Sequence, residues 1–296
     1  MKKIIESVPN FSEGRDQATM NAITSAFTDR ENVRLLDVQA DKDHNRMVVT
    51  VVGTPEAVKE AILDAMEQAV KRINMTRHKG QHPRMGAVDV VPFIPIRGLT
   101  MADTEALAKE VAQAAAKRFD LPIILYAMSA SAPHRADLAE IRKGQFEGMA
   151  DKLEDPLWQP DYGPVRVHPT AGVTAMGARP PLVAFNVNLG TDRPEIADAI
   201  AKKVRFIGGG LRHCKAMGVA LKERGIAQVS MNMTNVNQTM LYQAVEMIRF
   251  EAQRYGVPLI GSEIVGLVPM QALADCAAFY MGLENFSMDQ VLETKI

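Results

Sequence analysis

Six short apolar segments alternate between two-residue and helical spacing along the first hundred residues, and this order most narrows what the chain can become. Ile4 to Val8 reads as a strand, and Met20, Ile23 and Phe27 follow at helical spacing, with Ser12 placed to cap that helix. Val33–Val38 and Arg46–Val52 read as two strands of a hairpin around Asp41-Lys42-Asp43-His44-Asn45, which is too acidic and hydrated for a strand interior. Thr54-Pro55-Glu56 then supplies a cap, an N1 proline and an acid for a helix whose inner face is Val58, Ile62, Ala65, Met66 and Ala69. Ala87–Ile96 closes the series as a strand.

Strand, helix, strand, strand, helix, strand is the split βαβ, or ferredoxin-like, order. Asp103–Arg118 (helix), Leu121–Met128 (strand) and Arg135–Leu153 (helical) extend it, and residues 155 to 181 carry neither period and read as a loop-rich junction. The order then recurs: strand Val183–Leu189, helix Glu195–Val204, a hairpin of Gly218–Lys222 and Ala227–Met233, helix Thr239–Tyr255 and strand Pro258–Val268, with a terminal helix Ala272–Met281. No residue-level match joins the halves, so the duplication is one of structure. The expectation is an α+β protein of two ferredoxin-like subdomains, residues 1–180 and 181–296, in a chain of 296 residues.

Composition excludes other classes. With 47% hydrophobic and 23% charged residues the chain is neither disordered nor fibrous, and a net charge of −1 gives no bulk field for nucleic acid or an anionic membrane. Cys214 and Cys276 are too few for a disulfide framework or a thiolate metal site and read as buried free thiols. No apolar run approaches the ~18 residues of a membrane span, so a cytoplasmic protein is expected. Met231, Met233, Met247 and Met281 read as core filler, and Gly208-Gly209-Gly210, which matches no phosphate-binding fingerprint, as a connector.

In a split βαβ sheet the first two strands end, and the last two begin, at one edge. Four loops therefore converge there, which predicts a polar cluster of Asn10, Asp41, Asp43, Arg46 and His82. His78 and His82 have the spacing of a helical metal pair, but Gly80 and Pro83 disfavour a helix and no HExxH motif occurs, so no metal is expected. His82 lies among Arg77, Lys79 and Arg84, cations that favour the neutral imidazole and so a proton-accepting role. A solvated loop histidine and an ordinary charged turn remain the bland alternatives, and His44, His134 and His213 are left with them.

Three separated stretches carry a resemblance: Val8-Pro9-Asn10-Phe11-Ser12-Glu13-Gly14, His82-Pro83-Arg84-Met85-Gly86-Ala87-Val88-Asp89-Val90, and Gly261-Ser262-Glu263-Ile264-Val265-Gly266-Leu267-Val268-Pro269. With them the whole chain resembles the formiminotransferase family, the glutamate formimidoyltransferases and the transferase part of formimidoyltransferase-cyclodeaminase. The resemblance implies two ferredoxin-like subdomains flanking a cleft, a monofunctional transferase, and a homodimer. It implies transfer of a formimidoyl group from N-formimidoyl-L-glutamate to N5 of tetrahydrofolate, a co-substrate, in histidine degradation. It makes His82 the catalytic acid-base and places folate on Gly163, Pro164, Val165, Arg166, Val167, His168, Pro169, Thr170, Ala171 and Gly172. Arg46, Arg84 and Arg166 become candidates for substrate carboxylates. Animal members carry an aspartate matching Gln39, placed to orient the histidine; here the nearest acids are Asp41 and Asp43. The competing readings are folate-dependent formyl transfer between 5-formyltetrahydrofolate and glutamate, and a folate-binding module without turnover.

Overall fold

The structure, a computed structural model, describes residues 2–295; Met1 and Ile296, the outermost residues of the two expected domains, lie outside the described residues. The chain forms two units, Met1–Arg179 and Pro180–Ile296, each with its own sheet, so the architecture is mixed α+β.

In the first unit the opening strand is split into β1 (Ile4–Ser7) and β2 (Asn10–Phe11), because Pro9 has no N–H to give the ladder. After α1 (Gln17–Thr24) come β3 (Val33–Asp41) and β4 (Arg46–Gly53), a hairpin in register from Val33↔Gly53 to Asp41↔Arg46. α2 (Pro55–Arg72) leads to β5 (Val88–Arg97). β1 lies antiparallel between β4, with Ser7↔Val51, and β5, with Ser7↔Phe93. β2 continues the same central strand, Asn10 facing Val48 and Val90. The ends of β2 and β3 and the starts of β4 and β5 therefore share one edge.

Beyond β5 the sheet continues where the sequence reads as junction. α3 (Met101–Phe119), with a Thr100/Asp103 capping box, precedes a short β6 (Ile123–Leu125); the helical stretch after it is two helices, α4 (Leu138–Arg142) and α5 (Gln145–Glu154), interrupted at Lys143-Gly144. β7 (Thr174–Ala178) then pairs parallel with both β5 and β6. All five residues of β7 are buried and small or unbranched apart from Thr174, so the segment alternates in neither polarity nor size.

One face of this sheet packs Ile5, Phe11, Val51 and Phe93 against Ile23, Ile62, Met66 and Val111 from α1, α2 and α3. The other face, near β5, β6 and β7, packs Met85, Val90 and Tyr126 against Ile141, Met149 and Leu153 from α4 and α5. α1 is capped by Asp16, whose carboxylate accepts from the N–H groups of Ala18 and Thr19; Ser12 is instead buried, its hydroxyl donating to Gly86 O at 2.7 Å. Thr54 precedes α2 without a side-chain cap bond, leaving Pro55 and Glu56 to start it.

The second unit runs β8 (Val183–Leu189), α6 (Pro194–Val204), β9 (Cys214–Leu221), β10 (Ile226–Met233), α7 (Leu241–Gln253), β11 (Leu259–Val265) and α8 (Met270–Met281). Its sheet is antiparallel in the order β11-β8-β10-β9. Val183, Phe185, Val187 and Leu189 alternate inward against Ile196, Ile200 and Ile248, and Met231 and Met233 fill the same core. Met281 does not: it is 69% exposed at the end of α8. Cys214 is buried and its thiol is pushed up to about 12, whereas Cys276 is only half-buried. Among the described residues no helix is long and apolar enough to cross a membrane.

Candidate active site

The loops at the shared edge of the first sheet are stitched together by Asn45. This residue has a φ of 49°, in the left-handed region that asparagine tolerates better than most side chains, and is 8% exposed. Its Oδ1 accepts from Gly14 N at 3.0 Å, its Nδ2 donates to Lys79 O at 3.1 Å, and its carbonyl meets His78 Nε2 at 2.9 Å. Two glycines let the backbones close around it: a Cβ on Gly14 would lie 2.3 Å from Asp41 O, and one on Gly80 would lie 2.2 Å from His44 O. Ser12 adds a fourth tie, its N–H donating to Ala87 O at 2.9 Å. The β1–α1 connection, the hairpin turn and the His82 loop are thereby held as one rigid rim.

His82 and Arg46 meet within that rim, Nη1 of Arg46 lying 2.8 Å from His82 Nε2. A guanidinium can only donate, so Nε2 carries the lone pair and the ring proton sits on Nδ1. Burial of the half-buried ring is the chief reason its pKa falls to about 3; Arg46, Arg142 and His44 lower it further, while the Pro83 backbone opposes them. Desolvation and then the charge of Arg142 likewise lower Arg46, against Asp89 and Asp41. The site thus holds a neutral imidazole among cations.

A second imidazole is fixed the same way. Arg84 Nε donates to His78 Nδ1 at 3.2 Å, leaving His78 Nε2–H for Asn45 O. Both rings therefore give their lone pairs to guanidinium groups. Arg84 is itself buried and paired side by side with Glu147, at 2.8 and 2.7 Å, and it holds the Glu147 carboxyl down at about 2. From α4, Arg142 pairs with the buried Asp89, which also accepts from Met85 N at 2.8 Å; Arg142 Nε is buried without a partner.

The cluster expected from the sequence assembles in part. His82 and Arg46 are in contact, and the His44 ring lies edge-on to His82 with centroids 6.1 Å apart. Asp41 turns to His44, accepting from its N–H and from Nδ1, both at 2.8 Å, and these bonds hold its carboxyl below the usual range. Asp43 contributes its carbonyl, accepting from Gln81 N. Asn10 folds back to Val8 O, and exposed Gln39 donates to Asp37. Of the two nearest acids, Asp41 is thus bonded to His44 and Asp43 contributes only its carbonyl, and Arg84 is committed to Glu147. Asn45, Asp89 and Arg142 complete the site; the sequence signal for Asn45 was an asparagine in a tight polar turn, whereas Asp89 and Arg142 lie 53 residues apart and meet only through the fold.

Residues 163–172 form a turn bound to the same rim. His168 and Gly172 exchange backbone hydrogen bonds, and His168 Nδ1 accepts from Ala171 N at 2.9 Å. Ala171 O accepts from Ala87 N at 2.8 Å and Thr170 O from Met75 N at 2.8 Å, so the turn is anchored on both sides of the His82 loop. Arg166 pairs with Asp120 at the surface, and Val165 is exposed. His134 and His213 bond Leu157 O and Gln238 and take no part.

Two sheets with helices define an α+β protein, and a neutral histidine held against a guanidinium at a loop-built sheet edge is its candidate site. Residues 4–179 match the N-terminal subdomain of the formiminotransferase domain and residues 184–296 match the formiminotransferase domain. The chain belongs to the formiminotransferase family. It is 50% identical to glutamate formimidoyltransferase of Streptococcus pyogenes serotype M1, over 100% of this chain and 99% of that protein. It is 41% identical to that of Thermoplasma acidophilum over 99% and 97% of the two chains. Formimidoyltransferase-cyclodeaminase of Mus musculus is 43% identical over 96% of this chain and 54% of its own length.

Proposed function

We propose that this protein is a glutamate formimidoyltransferase, moving the formimidoyl group of N-formimidoyl-L-glutamate to N5 of tetrahydrofolate in histidine degradation. The relatives named for that activity support the reading, matching along nearly their whole length. The observation that carries it in this chain is the neutral Nδ1–H tautomer of His82, half-buried where four loops meet.

N5 attacks the formimidoyl carbon, forming the new C–N bond as the C=N electrons move to the imino nitrogen. The attacking nitrogen becomes cationic, and His82 Nε2 takes its proton. The imino nitrogen's electrons then re-form C=N as the glutamate nitrogen's bond to carbon breaks and that nitrogen takes the proton from His82, so L-glutamate leaves as an amine and 5-formimidoyltetrahydrofolate remains. Proximity of the two substrates contributes separately from the proton transfer. Residues 163–172 are proposed to contact folate, a role their anchorage to Met75 and Ala87 on either side of His82 favours. Both units are read as ferredoxin-like on the order β-α-β-β-α-β, with 1–180 and 181–296 as the functional division. A cytoplasmic homodimer acting on small molecules without a metal completes the proposal.

Incubation with N-formimidoyl-L-glutamate and tetrahydrofolate, followed by mass spectrometry, is expected to yield 5-formimidoyltetrahydrofolate and glutamate in equal amounts. Faster turnover with N-formyl-L-glutamate in direct competition contradicts the formimidoyl assignment, and no product from either donor contradicts transfer altogether.

A further inference from the structure

Arg46 does something that the proton transfer above does not explain: it occupies the lone pair that His82 needs. A base whose only free lone pair accepts a guanidinium N–H cannot take a proton until that donor moves. The other charged groups around the ring are spoken for to different degrees. Arg84 is matched by Glu147, Asp41 holds His44, and Asp89 is shared between Arg142 and the Met85 N–H, while Arg142 Nε is buried and unpartnered. His78 is neutralised as an acceptor by Arg84. The half-buried guanidinium of Arg46 thus faces a neutral ring, with Arg142 adding like charge beside it. Asp89 and Asp41 offset part of that charge from a distance, but among the described residues no carboxylate pairs with the Arg46 guanidinium, whose contact is the His82 ring.

We propose that Arg46 is a latch worked by a substrate carboxylate, which takes the guanidinium as a charge-assisted pair, draws it off His82 Nε2 and so exposes the base only when a substrate is present. The step forms one ion pair, breaks one hydrogen bond and moves no proton. A carboxylate is a far stronger partner for a guanidinium than an uncharged imidazole, so the exchange is downhill. It also turns a cation beside the ring into a neutral pair, which raises the ring's affinity for a proton. Arg46 is in this sense a positioning residue for His82. The inference rests on the transferase reading, because both of its substrates carry glutamate carboxylates: the donor itself and the tail of the folate.

The test is the protonation of His82 followed by nitrogen NMR on native protein labelled in histidine, the His82 signal being assigned by its loss in His82→Gln. Without ligand the ring is expected to stay neutral down to pH 5. Saturating L-glutamate, or p-aminobenzoyl-L-glutamate as the folate tail, is expected to raise its midpoint by one unit or more, a tenfold gain in proton affinity. A response to either compound supports the latch, and a response only to the tail compound assigns the carboxylate to folate. Arg46→Met is expected to raise the midpoint without ligand and to remove the ligand effect. An unmoved midpoint with both compounds, in protein that still forms 5-formimidoyltetrahydrofolate, overturns the latch and leaves the transferase reading standing. Protein that forms no such product overturns the reading on which the latch depends.

Discussion

Arg84 and His82 are two residues apart in one loop, and their surroundings give them opposite kinds of work. Arg84 is 8% exposed at its side chain and already holds a carboxylate, so its chemistry is spent on joining α5 to the loop. Arg84 also donates to Gln145 Oε1 and His78 O and Glu147 is itself exposed, so Glu147→Gln is expected to lower stability by only about 1 kcal/mol in urea unfolding, with KM for the donor little changed. A rise in KM without loss of stability would instead return Arg84 to the substrate. The sequence names Arg46, Arg84 and Arg166 as carboxylate ligands equally well, because side-chain chemistry is local. Occupancy by Glu147, 63 residues away, is not visible there.

The β3–β4 hairpin is the element on which the site depends, and much of it is legible in the sequence: two apolar runs, an acidic turn, and a topology that brings His82 to the same edge. The structure adds that Asn45 in the turn ties three loops. Asn45→Ala is expected to cost about 1–3 kcal/mol, since it strips partners from the buried Gly14 N–H and from Lys79 O, and to reduce kcat through loss of the His82–Arg46 geometry. Gly80→Ala, whose added Cβ would meet the His44 backbone rather than a yielding side chain, is expected to reduce kcat at least as much; a fully active variant would show that the rim is not rigid. Other elements were illegible for definite reasons. β7 is buried throughout and so lacks alternation, the helical spacing of 135–153 runs through a break at Gly144, and Ser12 and Asp16 both have capping chemistry, with only packing against Gly86 deciding between them.

Across the whole molecule, histidines held neutral make stability depend on pH in one direction. His82, His78 and His168 all have pKa values lowered chiefly by burial, His82 to about 3 from the ordinary 6.5. Below pH 6.5 the unfolded chain therefore takes up protons that the folded chain refuses, so stability present above that pH is lost as pH falls. Glu147 and Asp41, held low, weaken the fold only in more acid solution, and Glu6, raised by burial, acts the opposite way. The urea midpoint is expected to fall between pH 7 and 5, with a shallower fall in His82→Gln; identical slopes would mean that His82 is protonated in the folded state. The family was legible from three separated stretches, whereas the tautomer and the guanidinium on Nε2 arise only where the fold brings Arg46 to His82. The account stands most directly on the single-turnover rate of formimidoyl transfer in native protein and in His82→Ala, both saturated with tetrahydrofolate. A loss of about 10²–10⁴-fold in the variant, with folate affinity unchanged, is the predicted result; equal rates would contradict the acid-base role of His82.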